Sequence, residues 1–309
     1  MRPHTLVGMS PAPRQSVLLL LDPGSGVTHL ADPGDPVLTA DDRSAHRGDG
    51  IFETVLVDAA GVHNRRRHLE RFIRSAEALE LPRPDPAIWE SAFDEAVQAH
   101  RRAFPEAAEF SVRYALSRGP DAALAPRGWF LTAPAPAEYA RQRTEGIAIG
   151  SLDRGTPAYV GKDAPWLLQG AKTLSYAVNL AAGRWAAQHG YDDALFFSHD
   201  GANSIALEFP TANLVIARGR TLLTPDPGAG LLHGTTQQGL FAAAEAAGWT
   251  TAYADLRRED ILGADAAWTT SSLRRALPLA SLDGEELARD AELEREVFAF
   301  VHPDLAPDT

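Results

Sequence analysis

Leu167-Leu168-Gln169-Gly170-Ala171-Lys172-Thr173-Leu174 carries one of the two lysines in the chain, the other being Lys162, in a sequence otherwise rich in arginine. Beyond it, Leu174, Ala177, Val178, Ala181 and Trp185 recur at helical spacing as far as a stop near Gly190. That pattern predicts a helix that opens at Lys172 and turns its other face to the core. A lysine at a helix start suffers from the positive end of the helix dipole, and partial burial lowers its pKa further, toward a neutral, nucleophilic amine. Taken alone, however, Lys172 reads more readily as a lysine that snorkels to solvent.

Immediately upstream, residues 153–165 hold glycines and prolines without a clear period, which predicts a linker. A chain of 309 residues exceeds what one core usually organises, so the linker is expected to divide two domains. These are residues 1–152, with 1–14 as a loose proline-rich tail, and residues 166–309. In the first, strand-like runs are Val17–Leu21, Ile51–Val57, Phe110–Leu116, Trp129–Thr132 and Ile147–Leu152. Leu69, Phe72, Ile73, Ala76 and Leu79 form one apolar helical face that ends by Pro82, and a second helix is expected over Ala87–Arg102. In the second, strands are expected at Ala194–Phe197, Asn213–Ala217, Thr221–Leu223, Ala266–Thr270 and Leu277–Leu282. Helices are expected at Gln237–Ala247 and Asp290–Val301. Strands and helices mix without strict alternation, which predicts an α+β fold.

Composition excludes several classes. There is no cysteine, so disulfides, thiolate metal sites and a cysteine nucleophile are ruled out, and a cytoplasmic protein is expected. The net charge of -12 disfavours nucleic acid as a partner. The one dense basic run, Arg65-Arg66-Arg67-His68, reads as a solvated helix start. No apolar run approaches the ~20 residues of a membrane span, and the first fifteen residues lack the apolar stretch of a signal peptide. No histidine–carboxylate cluster has metal-ligand spacing, so no metal is expected.

Three further segments could carry chemistry. Gly228-Ala229-Gly230-Leu231-Leu232-His233-Gly234-Thr235-Thr236-Gln237 joins a turn to a helix start, where free N–H groups and threonine hydroxyls can cradle an anion. It can equally be an ordinary N-cap. Thr269-Thr270-Ser271-Ser272 is a second hydroxyl cluster at a strand end. Glu208, between apolar neighbours in Ile205-Ala206-Leu207-Glu208-Phe209-Pro210, is either a buried acid that needs a partner or an edge carboxylate facing water.

Each feature is ambiguous alone, but their order is specific. Arg47-Gly48-Asp49-Gly50-Ile51-Phe52-Glu53-Thr54, then His68-Leu69-Glu70-Arg71-Phe72, Gly170-Ala171-Lys172-Thr173-Leu174, Glu208 with Ala212-Asn213-Leu214, and Gly234-Thr235-Thr236 together resemble the fold-type IV pyridoxal phosphate enzymes, the class IV aminotransferase family. The resemblance spans about Val37 to Leu282. It implies a small N-terminal α+β domain, a larger C-terminal domain with a barrel-like sheet, pyridoxal phosphate in the cleft between them, and a homodimer. It further implies that Lys172 forms the imine, that Arg71, Thr235, Thr236 and Ser271 hold the cofactor phosphate, and that Glu208 faces the pyridine nitrogen. A phosphate suits an arginine and a helix N-terminus, and a carboxylate keeps the ring nitrogen protonated. Arg274-Arg275 stand where many relatives have small residues. Tyr176 lies one place short of a tyrosine of branched-chain aminotransferases, and no role is carried over to it.

Within the family, Ala164-Pro165-Trp166-Leu167 leading to Lys172, with Gly234-Thr235-Thr236-Gln237-Gln238, looks most like bacterial aminodeoxychorismate lyases. The resemblance therefore implies a lyase of folate biosynthesis converting 4-amino-4-deoxychorismate to 4-aminobenzoate and pyruvate. An aminotransferase of D-amino or branched-chain amino acids is the alternative. A non-enzymatic pyridoxal phosphate binder is disfavoured, because the lysine, glutamate and phosphate positions are all filled. The expected substrate is a small amine bearing carboxylates, with Arg47, Arg113 and Arg118 as candidate clamps.

Overall fold

The computed structural model describes residues 15–120 and 125–301. The expected tail, 1–14, lies outside the described residues. The first part of the chain contains β1 (Leu18–Leu21), β2 (Thr28–Ala31), α1 (Arg43–Arg47), β3 (Gly50–Val57), α2 (Arg65–Ala78), α3 (Pro86–Ala103), β4 (Phe110–Ser117) and β5 (Arg127–Pro134). Its strands form one antiparallel sheet in the order β2-β1-β5-β4-β3. The predicted face of α2 is the one that packs: Leu69, Phe72, Ile73, Ala76 and Leu79 join Val55, Trp89, Val112 and Phe130 in a single core. Asp85 caps α3 by accepting from the Ala87 N–H, with Pro86 in the first helical turn.

The alternation of β3 sets up the site. Successive side chains on a strand point to opposite faces. Ile51, Val55 and Val57 go into the core under α2, so Glu53, at the same parity, is carried there too. Phe52 and Thr54 go to the other face, where Arg113 of β4 lies opposite Thr54.

The remainder supplies α4 (Glu138–Glu145), β6 (Ile147–Asp153), α5 (Ala177–Gln188), β7 (Asp193–Phe197), β8 (Glu208–Phe209), β9 (Ala212–Arg218), β10 (Thr221–Pro225), α6 (Thr235–Ala246), β11 (Thr250–Ala254), α7 (Arg258–Leu262), β12 (Ala266–Ser271), β13 (Arg275–Leu282), β14 (Glu285–Glu286) and α8 (Ala291–Phe300). Its nine-stranded mixed sheet runs β11-β10-β9-β12-β13-β6-β7, with β14 on β13 and β8 on β9. Along β9, Leu214 and Ile216 enter one core cluster while Val215 and Ala217 enter another beside α6 and α8. A strand buried on both faces reads as the continuous apolar run seen there.

Two sequence expectations change. Ile147–Leu152 was placed in the N-terminal unit, yet this strand pairs in parallel with β7 and β13, so the chain passes between sheets before Ile147 rather than after residue 152. Its partners lie far downstream, and local pattern cannot reveal them. The helix expected to open at Lys172 begins only at Ala177, and its buried residues are Ala182 and Ala186. Of the expected stripe, Ala177, Val178 and Ala181 are exposed, and only Trp185 packs against a buried cluster among the described residues, so the stripe does not turn as a whole to this chain's core.

Candidate active site

The segment carrying Lys172 is stitched to the start of β3. The Phe52 N–H donates to the Lys172 carbonyl at 3.0 Å, and the Leu174 N–H donates to the Gly50 carbonyl at 2.8 Å. The Ser75 hydroxyl of α2 accepts from the Lys172 N–H at 3.0 Å. Gly50 is required by this closeness, since a Cβ there would lie 2.7 Å from the Leu116 carbonyl oxygen and from Leu174. The Lys172 Nζ sits 4.5 Å from the centroid of the Phe52 ring and 5.5 Å from that of Tyr176. Burial, reinforced by the nearby charge of Arg71, lowers the Lys172 pKa to about 8. The expectation of a depressed pKa therefore holds, but burial and neighbouring charge cause it rather than a helix dipole. At pH 7 about one such amine in ten is neutral, against roughly one in three thousand for an ordinary lysine.

A second constellation lies at the start of α6. Gly234 is its N-cap and has no side chain with which to satisfy the first N–H groups. A Cβ at Gly234 would fall 1.9 Å from the Asn213 Oδ1, so a larger residue would have to push the Asn213 amide aside. Asn213 in turn donates to the Leu232 carbonyl at 2.9 Å. The Thr236 hydroxyl is buried with no hydrogen-bond partner among the described residues, a costly state for an isolated polar group. The Arg71 guanidinium reaches this turn from α2, donating from Nη1 to the His233 carbonyl at 3.1 Å. Its Nε and Nη2 both donate to Glu53, each at 2.7 Å. Three of the five N–H donors of Arg71 are thus used, and two remain for a ligand.

His68 links the same groups. Its Nδ1 lies 2.7 Å from Glu53, and its Nε2 lies 3.1 Å from the Thr235 hydroxyl and 3.0 Å from that of Ser272. The sequence reads His68 as part of a solvated helix start and assigns Glu53 no role, yet both are buried in the fold. The available signal was parity: an acid at a core-facing position of β3 must find partners on the helix above it. Ser271, expected at the phosphate, is the last residue of β12, opposite Arg275, while the hydroxyl that meets His68 is that of the next residue.

The basic pair after it is structural. Arg274 pairs with Asp193, and Arg275 reaches across to Asp58 and to Glu109 of the first sheet's side of the molecule, the latter at 2.6 Å.

Glu208 opens β8, and one of its oxygens accepts from the Leu232 N–H at 3.1 Å. Burial raises its pKa to about 7, against the lowering effects of that hydrogen bond and of the Arg154, Lys172 and Arg71 charges. Glu208 is half-buried on this two-residue strand, which pairs with β9, so it stands between the two sequence alternatives. The Tyr176 hydroxyl donates to the Pro210 carbonyl at 2.9 Å, just beyond Glu208.

The three candidate clamps separate. Arg113 is exposed, stands 5.5 Å from the Phe52 ring centroid, and its charge is felt at Lys172. Arg118 is committed elsewhere, donating to Asp49 at 2.7 Å and to the Leu79 and Glu80 carbonyls at the end of α2. Arg47 is exposed in the last turn of α1.

A lysine of lowered pKa, a helix N-terminus with an unpartnered buried hydroxyl, and a half-buried acid thus lie at a junction between the two sheets. The chain belongs to the amino-transferase class IV family, whose model matches residues 50–282. It is 40% identical over 277 residues to the bifunctional aminodeoxychorismate lyase / D-amino acid transaminase of Mycobacterium tuberculosis, covering 87% of this chain and 93% of that protein. Among solved structures, the fold IV-transaminase CpuTA1 of Curtobacterium pusillum superposes with a TM-score of 0.86 at 37% identity, covering 93% of this chain and 98% of that one. A protein described as a hypothetical aminotransferase from Mycobacterium tuberculosis, solved with PLP bound, gives 0.85 at 39% identity, covering 93% and 99%. The chain is therefore a pyridoxal phosphate-dependent enzyme, a lyase or an aminotransferase. A non-enzymatic binder is set aside.

Proposed function

We propose that Lys172 carries pyridoxal phosphate and that the enzyme is a 4-amino-4-deoxychorismate lyase, releasing 4-aminobenzoate and pyruvate. The observation that carries the reading is a lysine amine of lowered pKa and an exposed guanidinium, Arg113, gathered at one ring, Phe52. The cofactor, when bound, withdraws electrons from the carbon bearing the substrate nitrogen. Arg71 and the Thr235, Thr236 and Ser271 segments hold its phosphate, and Glu208 holds the proton on its ring nitrogen. Lys172, once free as an amine, takes the proton from the substrate carbon. The C–O bond to the enolpyruvyl group on the neighbouring carbon then breaks, the ring becomes aromatic, and the released enol takes up a proton as pyruvate. No oxidant or keto acid is consumed. Arg113 holds a substrate carboxylate, which a protein of charge -12 must otherwise repel. The same lysine serves D-amino acid transamination, the second activity in the name of the 40% identical relative. We also propose a cytoplasmic homodimer: Trp166, Leu167, Val178 and Leu180 are exposed around the Lys172 segment, and a second copy would cover them.

The purified protein is incubated with aminodeoxychorismate and no keto acid. Release of 4-aminobenzoate and pyruvate is expected. Absence of release, alongside steady transamination between D-amino acids and 2-oxoglutarate, rejects the lyase in favour of the aminotransferase. Borohydride should fix the cofactor to the peptide containing Lys172, and a label on Lys162 would overturn the site.

A further inference from the structure

Glu53 is completely buried, and every hydrogen bond found for its carboxylate goes to Arg71 or His68. Burial by itself would raise its pKa, but the charge and hydrogen bonds of Arg71, with the hydrogen bond from His68, outweigh that and hold it well below the usual carboxylate range. An ionised carboxylate only accepts hydrogen bonds. The proton on the His68 ring must therefore sit on Nδ1, the nitrogen 2.7 Å from Glu53. Burial depresses the His68 pKa and, with the smaller push of the Arg71 and Lys172 charges, outweighs the raising effect of the Glu53 charge and hydrogen bond, so the ring is neutral and Nε2 bears a lone pair. Two hydroxyls converge on that nitrogen from separate parts of the chain, Thr235 from the first turn of α6 and Ser272 from the turn after β12.

We infer that Glu53 and His68 are positioning residues for the cofactor phosphate, with Glu53 the common anchor that aims Arg71 and, through His68, gathers the Thr235 and Ser272 hydroxyls into one cradle. The inference rests on the proposed phosphate site and says how it is built. The bidentate grip of Glu53 fixes the plane of the guanidinium, which sets where its free N–H groups point. The carboxylate also selects the His68 tautomer, as a second partner of a functional histidine does. Neither residue need touch the ligand. Without His68, two hydroxyls from different elements have nothing to hold them together.

Two variants test this, His68→Asn and Glu53→Gln, each compared with wild type for binding of pyridoxal phosphate and of pyridoxal, which lacks only the phosphate. His68→Asn is expected to weaken pyridoxal phosphate by about ten-fold, the scale of a charge-assisted hydrogen bond, while pyridoxal binding changes less than about two-fold. Inorganic phosphate should compete with pyridoxal phosphate less well in the variant than in wild type. Glu53→Gln should show the same split, more strongly. Should Glu53→Gln fail to fold, because it strands the buried Arg71 charge, the His68→Asn comparison stands alone. Unchanged pyridoxal phosphate affinity in His68→Asn, or equal weakening of both ligands, overturns the inference and leaves the proposed function intact. A wild-type protein that binds neither ligand overturns both.

Discussion

Replacing Lys172 by methionine should make the cofactor-free protein more stable. The lysine pKa falls from 10.5 to about 8 in the fold, chiefly through burial. The unfolded chain keeps the lysine proton up to about 10.5, whereas the folded chain releases it near 8. Between those values the unfolded state binds more protons, so wild-type stability rises with pH. Below pH 8 the penalty of burying the charge is fully present, and its upper bound is about 3 kcal/mol. Lys172 is only partly buried, so solvent screening reduces this. Loss of the amine's contacts with the Phe52 and Tyr176 rings costs up to about 1 kcal/mol. A net gain of about 1–2 kcal/mol at pH 7 remains, from a methionine of similar length and no charge. Urea unfolding of both apoproteins at pH 7 and at pH 10 is the assay. The methionine variant should lead at pH 7, and the gap should close at pH 10. An equal or less stable variant at pH 7, or a gap independent of pH, refutes the reasoning. Lys172 would then not be held at a cost to the fold.

Glu208→Gln should reduce turnover far more than cofactor retention, because an amide cannot keep a ring nitrogen protonated while Arg71 still holds the phosphate; wild-type turnover in that variant would remove Glu208 from the site. With its pKa raised to about 7, Glu208 also makes the apoprotein lose stability as pH rises from about 4.5 to 7, and glutamine should abolish that slope in thermal melts across the range. Gly234→Ala places a Cβ 1.9 Å from the Asn213 Oδ1 and must displace either the Asn213 amide, with its bond to the Leu232 carbonyl, or the turn before α6. It should cost about 1–3 kcal/mol of stability and weaken pyridoxal phosphate binding at least ten-fold, and a variant with unchanged affinity would remove this turn from the cradle.

Much of this protein is legible in the chain order of short motifs. Lys172, Glu208 and Gly234-Thr235-Thr236 are each ambiguous alone, and they stand out, with Arg71, only through the order of the motifs from Arg47 to Thr236, which is specific as a set. The helix over Leu69–Leu79 and strands such as Ile51–Val57 were readable because their own periodicity records which face is buried. Tertiary structure decided the rest. Ile147–Asp153 joins the second sheet because its parallel partners, β7 and β13, come later in the chain, and hydrogen-bond partners leave no mark on a strand's own sequence. The stripe through Ala177, Val178 and Ala181 reads as core because periodicity reports an apolar face without naming what covers it. Arg118 and Arg113 are the same residue type on neighbouring stretches of chain. Only the fold engages one with Asp49 and the end of α2 and leaves the other open beside Phe52. Glu53 and His68 were likewise silent, because a buried carboxylate acquires its meaning from the cation and the ring that packing brings to it.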